Sequence, residues 1–102
     1  MLNLTKEQRS TIVQILLTHV PECEVRVFGS RLTGKSKSYS DLDLAVVGKE
    51  KIPRQKMIKL KEALQNSKLP FRVDLLDWHR ISDNFKKIIQ NNYQVLITGP
   101  AG

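Results

Sequence analysis

Cysteine is nearly absent. One thiol, Cys23, stands in 102 residues, so no internal disulfide can staple the fold. Stability must come from a packed core, and a cytoplasmic address is expected. Long apolar runs are missing as well. No segment approaches the ~20 apolar residues that a membrane-spanning helix needs. The opening stretch MLNLTKEQRS lacks the charged-then-apolar layout of a signal peptide. Aromatic residues are sparse, at three Phe, two Tyr and one Trp, and they do not alternate with arginines along a helix. A stacking platform for single-stranded nucleic acid is therefore poorly supported. Acidic residues are the minority, 10 against 17 Lys and Arg, for a net charge of +7. That surface favours anionic partners: nucleotide phosphates, nucleic acid or an acidic protein. Neither an internal repeat nor a low-complexity tract is present.

What remains is globular. Hydrophobic residues make up 40% and charged residues 26% of the chain, a balance that suits one domain with a modest core. A single domain over residues 1–98 with a flexible tail over 99–102 is expected. Thr5 with Gln8 three residues later fits a helix capping box. Ile12, Val13, Leu16, Leu17 and Val20 then recur at helical spacing up to Pro21. CEVRVFG alternates as a short strand that stops at Gly29. Ser30 to Ser40 reads as a loop, and DLDLAVVG as a second strand ending at Gly48. Pro53 suits the first turn of a helix whose apolar stripe is Met57, Leu60, Ala63 and Leu64. FRVDLLDW is a third strand. Ser82 suits the N-cap of a last helix with Phe85, Ile88, Ile89 and Tyr93 inward. The order predicts a small α/β (α+β) domain: a three-stranded mixed sheet with helices on one face and the other face partly open.

The open face is where chemistry can be built. Asp41 and Asp43 alternate along one strand, so they share a face, with Cα atoms about 6.6 Å apart. Leu42, Leu44 and Val46 go to the core. Two adjacent carboxylates repel unless positive charge separates them. They are either a solvated polar edge or ligands for a divalent metal, since hard cations take carboxylate oxygens. Asp74 lies opposite in parity to Phe71, Val73 and Leu75 and can face the same side. Asp77 competes for the third position, but alternation turns it to the opposite face. Three converging carboxylates can hold two metal ions that clamp the attacking and leaving oxygens of phosphoryl chemistry. Gly29 and Ser30 end a strand where free backbone N–H groups can form an anion nest, and the Ser30 hydroxyl can donate to a phosphate. Arg31, Lys35 and Lys37 add positive charge to that loop. Arg31 serves equally well as a phosphate contact or as plain surface.

GS, ten intervening residues and DLD together match the GS-x10-D-x-D signature of the DNA polymerase β-like nucleotidyltransferase superfamily without a gap. Chance would produce this in a chain of such length on the order of once in a thousand sequences. GSRLTG, SDLDLAV and FRVDLLD resemble the surrounding superfamily segments, and the match runs from about Val25 to Asp77. Leu32 stands where many relatives carry alanine. The chain is similar to the minimal nucleotidyltransferases (MNT), the antitoxins of HEPN/MNT toxin–antitoxin pairs. That resemblance implies a nucleotidyltransferase with Asp41, Asp43 and Asp74 as catalytic, metal-binding residues for two Mg²⁺ ions. It implies Gly29, Ser30 and Arg31 at the phosphates of ATP. It further implies transfer of AMP to a tyrosine of a HEPN ribonuclease partner, in the cytoplasm and away from membranes. A small-molecule acceptor, an RNA end, RNA as a partner, and non-catalytic masking of the HEPN protein stay open, as does the oligomeric state.

Overall fold

The computed structural model describes residues 4–29, 32 and 41–99. The first helix, α1 (Lys6–His19), begins as the sequence predicts. The Thr5 hydroxyl accepts from the Gln8 amide at 3.1 Å, and the Gln8 side-chain oxygen accepts from the Thr5 amide at 3.0 Å. Two of the four orphan donors of the helix start are thereby satisfied. Strand β1 (Glu24–Phe28) follows, then β2 (Leu42–Val47), helix α2 (Arg54–Gln65) and strand β3 (Val73–Asp77). A single 3₁₀ turn (Trp78–Arg80) leads to α3 (Asp83–Asn91), and β4 (Gln94–Ile97) comes last. The Ser82 hydroxyl caps α3 by accepting from the Phe85 amide at 3.2 Å.

The mixed sheet has the order β3-β2-β1-β4. β1 pairs antiparallel with β2 and with β4, and β2 pairs parallel with β3. It therefore has four strands where the sequence predicts three. β4 escapes notice because its apolar run, Val95–Leu96–Ile97, lacks alternation and is too short to separate strand from helix. The helix instead ends at Asn91, and Tyr93 and Ile88, expected inward, are exposed at 38% and 65%. Gly99, placed with the tail in the sequence reading, lies against the backbone of Cys23 and Glu24.

Two apolar layers cover the sheet. α1 and α2 pack on one face through Ile12, Leu16, Met57, Leu60 and Leu64 against Val25, Val27, Leu42, Leu44, Val46 and Leu75. Cys23 is buried in the same layer. Burial raises its thiol pKa, as does the neighbouring Glu22 carboxylate, which leaves it a packing residue. α3 lies on the opposite face. Ile89 and Phe85 meet Ala45, Val47, Leu76, Trp78 and Phe28 there. The helices thus do not share one face, and part of the expected open face is covered. The signal was in β2: Ala45, Val46 and Val47 are apolar on both parities, the mark of a strand end buried on both sides. Among the described residues no helix covers the end of that face where β1 stops and β2 begins.

Candidate active site

That end of the sheet carries the carboxylates. Strand alternation puts Asp43 on the face opposite Leu42 and Leu44, which are fully buried under α1 and α2. The ladder then sets its neighbours. Asp43 is the register partner of Phe28 on one side and of Asp74 on the other. The two aspartates therefore sit side by side on adjacent parallel strands. The start of β2 is fastened there by the Leu42 amide, which donates to the Arg72 carbonyl at 2.9 Å. Asp41, the last residue before β2, is exposed beside them.

Electrostatics make this cluster uneasy. Burial raises the Asp43 carboxyl above the usual aspartate range, and the charges of Asp74 and then Asp41 raise it further. Asp74 has found one partner, the Arg72 guanidinium, with Nε 3.0 Å from Oδ1. Arg72 stands two residues before Asp74, just ahead of β3, and alternation sets the two on one parity, so the pairing is legible in the sequence. Among the described residues no three His, Cys, Asp or Glu side chains are gathered as a ready cage. The donor set nevertheless suits a hard divalent cation. It consists of carboxylate oxygens only, and the charged form of its central member is disfavoured by burial and then by the like charges of Asp74 and Asp41.

Gly29 closes the site from the β1 side. Its φ is +86°, and among the described residues no side-chain-bearing residue has positive φ. A Cβ at this position would sit 2.3 Å from Asp43 Oδ2. Glycine is required twice, for the backbone turn and for the room that the carboxylate occupies. The Leu32 amide donates to the Gly29 carbonyl at 3.1 Å. Ser30 and Arg31, expected at the phosphates, lie outside the described residues, as do Lys35 and Lys37.

Asp77 is excluded from the cluster. It pairs in register with Val46, on the core face, and is 4% exposed. Its carboxylate accepts from the Ile52 amide at 2.8 Å, the His79 amide at 3.0 Å and Arg80 Nε at 3.1 Å. Arg80 also donates to the Ile52 carbonyl, and the His79 ring donates to the Gly48 carbonyl at 2.6 Å. These residues tie the connection after β2 to the end of β3, a structural duty at the sheet end away from the carboxylates.

The family model described as polymerase beta nucleotidyltransferase matches residues 10–99. The chain is 44% identical over 95 residues to the probable protein adenylyltransferase MntA of Haemophilus influenzae, spanning 93% of this chain and 83% of that relative. Among solved structures it superposes on a toxin–antitoxin crystal structure with AMP-PNP, with a TM-score of 0.74 at 24% identity, over 87% of this chain and 72% of that one. A tri-AMPylated Shewanella oneidensis HEPN toxin in complex with MNT antitoxin gives a TM-score of 0.66 at 22% identity, over 87% and 68%. At those identities the structures establish the fold. Together with the family match, they identify the chain as a member of the polymerase beta nucleotidyltransferase family.

Proposed function

We propose that the chain is an antitoxin that transfers AMP from ATP to a tyrosine hydroxyl of a HEPN-type ribonuclease partner, and that it works in the cytoplasm. The observation that carries this reading is the apposition of Gly29 and Asp43, with Asp74 in register beside them, in a chain 44% identical to a probable protein adenylyltransferase. The net charge of +7 is suited to ATP and to an acidic partner surface.

In this reading Asp41, Asp43 and Asp74 hold Mg²⁺, which would offset the charge of the pyrophosphate and polarise the α-phosphate. Gly29 lets the backbone approach the β- and γ-phosphates, Ser30 donates its hydroxyl to them, and Arg31 adds a charged contact. Asp74 orients the acceptor hydroxyl and takes its proton. The acceptor oxygen bonds to the α-phosphorus, and the bond from that phosphorus to the pyrophosphate oxygen breaks. Arg72 keeps Asp74 partnered before nucleotide arrives.

Intact-mass spectrometry tests this. The chain is incubated with ATP, Mg²⁺ and a HEPN-type partner. The expected result is a partner heavier by one or more AMP groups, with no gain when Asp41→Asn/Asp43→Asn replaces the wild type. An unmodified partner in a tight complex would instead establish neutralisation by masking.

A further inference from the structure

The carboxylates and the glycine turn account for phosphate and metal, not for the rest of a nucleotide. A nucleobase presents a flat π-face and needs an apolar or aromatic surface close to the phosphate site. One such surface adjoins Asp43. Phe28 is its direct antiparallel partner, so the two side chains share a face with Cβ atoms about 5 Å apart. Phe28 also immediately precedes Gly29. The Phe85 ring, delivered by the first turn of α3, meets Phe28 edge-to-face, with centroids 5.9 Å apart and planes at 88°. Both residues are only half-buried, although each is large and apolar.

The other described aromatic residues of that face, Trp78 and Tyr93, are engaged elsewhere. Arg26 lies one same-face step farther from the carboxylates, opposite Ala45. Its guanidinium stacks on Trp78 at 4.8 Å and on Tyr93 at 4.6 Å, and it pairs with Glu24. Lys86 approaches the Trp78 ring as well, at 5.8 Å. Those π-faces hold cations, and Trp78 is 8% exposed. Phe28 and Phe85 are the aromatic pair next to the carboxylates with no cation among their described contacts.

We infer that Phe28 and Phe85 form the wall against which the nucleobase of the bound nucleotide rests, with Phe85 as the part of the wall supplied by α3. The inference rests on the nucleotidyl-transfer reading and deepens it. Neither ring carries a hydrogen-bonding group, so the wall holds the base by stacking and apolar contact. Phe85 is a base-binding residue here, and the last helix acquires a role beyond covering the sheet.

The test compares two ligands on the full chain by calorimetry in the presence of Mg²⁺: ATP, which has a base, and inorganic tripolyphosphate, which does not. Wild type is expected to bind ATP more tightly. Phe85→Leu keeps an apolar side chain but removes the ring. It is expected to weaken ATP roughly tenfold, within the range seen for loss of one base-stacking ring, and to leave tripolyphosphate unchanged. Phe85→Trp, which restores a ring, should restore ATP binding. Equal losses for both ligands, or an unchanged ATP affinity in a Phe85→Leu protein that melts like wild type, would overturn the wall. A second readout needs no variant: the adenine H2 and H8 resonances should move upfield on binding to wild type, and unshifted resonances would overturn it too. Wild type that binds neither ligand would defeat the underlying nucleotide reading, a different result from ATP and tripolyphosphate bound equally well, which defeats the wall alone.

Discussion

Asp43 Oδ2 occupies the space where a Cβ on Gly29 would stand, 2.3 Å from that position. Gly29→Ala therefore forces either the turn or the carboxylate to move. The positive φ adds a backbone penalty of about 1–3 kcal/mol for any other residue. The expected outcome is a lower melting temperature together with near-complete loss of AMP transfer. A variant that melts lower but transfers at the wild-type rate would show that Asp43 can be displaced without harm.

Removing charge from Asp43 should have opposite effects on stability and activity. Burial and the neighbouring Asp74 and Asp41 raise its carboxyl in the folded state, so the native protein binds a proton more readily there than the unfolded chain does. The contribution of Asp43 is then a penalty at neutral pH. It is relieved as pH falls through its folded-state pKa toward the ordinary aspartate range. Without divalent cations, Asp43→Asn is expected to melt at or above wild type at pH 7, and the gap should close on acidification. AMP transfer should be lost. A wild type that is more stable than the variant at pH 7 would count against the crowded-carboxylate account.

Asp74 and Asp77 are three residues apart, yet they should behave as different kinds of residue. Asp77→Ala leaves three buried or half-buried donors without an acceptor, which is expected to cost about 2–4 kcal/mol in urea unfolding. The molecules that remain folded should still transfer AMP. Asp74→Asn breaks only a half-exposed ion pair with Arg72, worth about 1 kcal/mol or less, but should abolish transfer. Reversed results would exchange their roles.

The fourth strand should matter for stability. Leu96 on β4 is 8% exposed and belongs to the core layer under α1 and α2. Leu96→Ala is expected to destabilise the chain by about 2–4 kcal/mol in denaturant unfolding. A change below about half a kcal/mol would mean that β4 contributes little more than an edge.

The local features could be read without coordinates because each depends on a few neighbouring residues. Thr5 and Gln8 cap α1 reciprocally because a hydroxyl and an amide three residues apart reach each other's backbone. Ser82 caps α3 for the same reason. Strand parity sent Leu42 and Leu44 to the core and Asp43 to the other face, and it separated Asp74 from Asp77. The Gly29–Ser30 turn and the spacing to Asp41 and Asp43 carried the family.

Long-range contacts required the fold. Nothing local to Asp43 says that Phe28 will be its partner across one ladder and Asp74 across the other. Register depends on how whole strands align. The short run at β4 became a strand only because β1 had a free edge to pair with. α3 crossed to the far face because Ala45, Val47 and Leu76 left an apolar surface there that no other described helix covers. Donor type and strand parity are local, so the residues able to do chemistry are written in the chain. Which of them stand together, and that two phenylalanines stand beside them, follows from burial and strand pairing, which are properties of the assembled sheet.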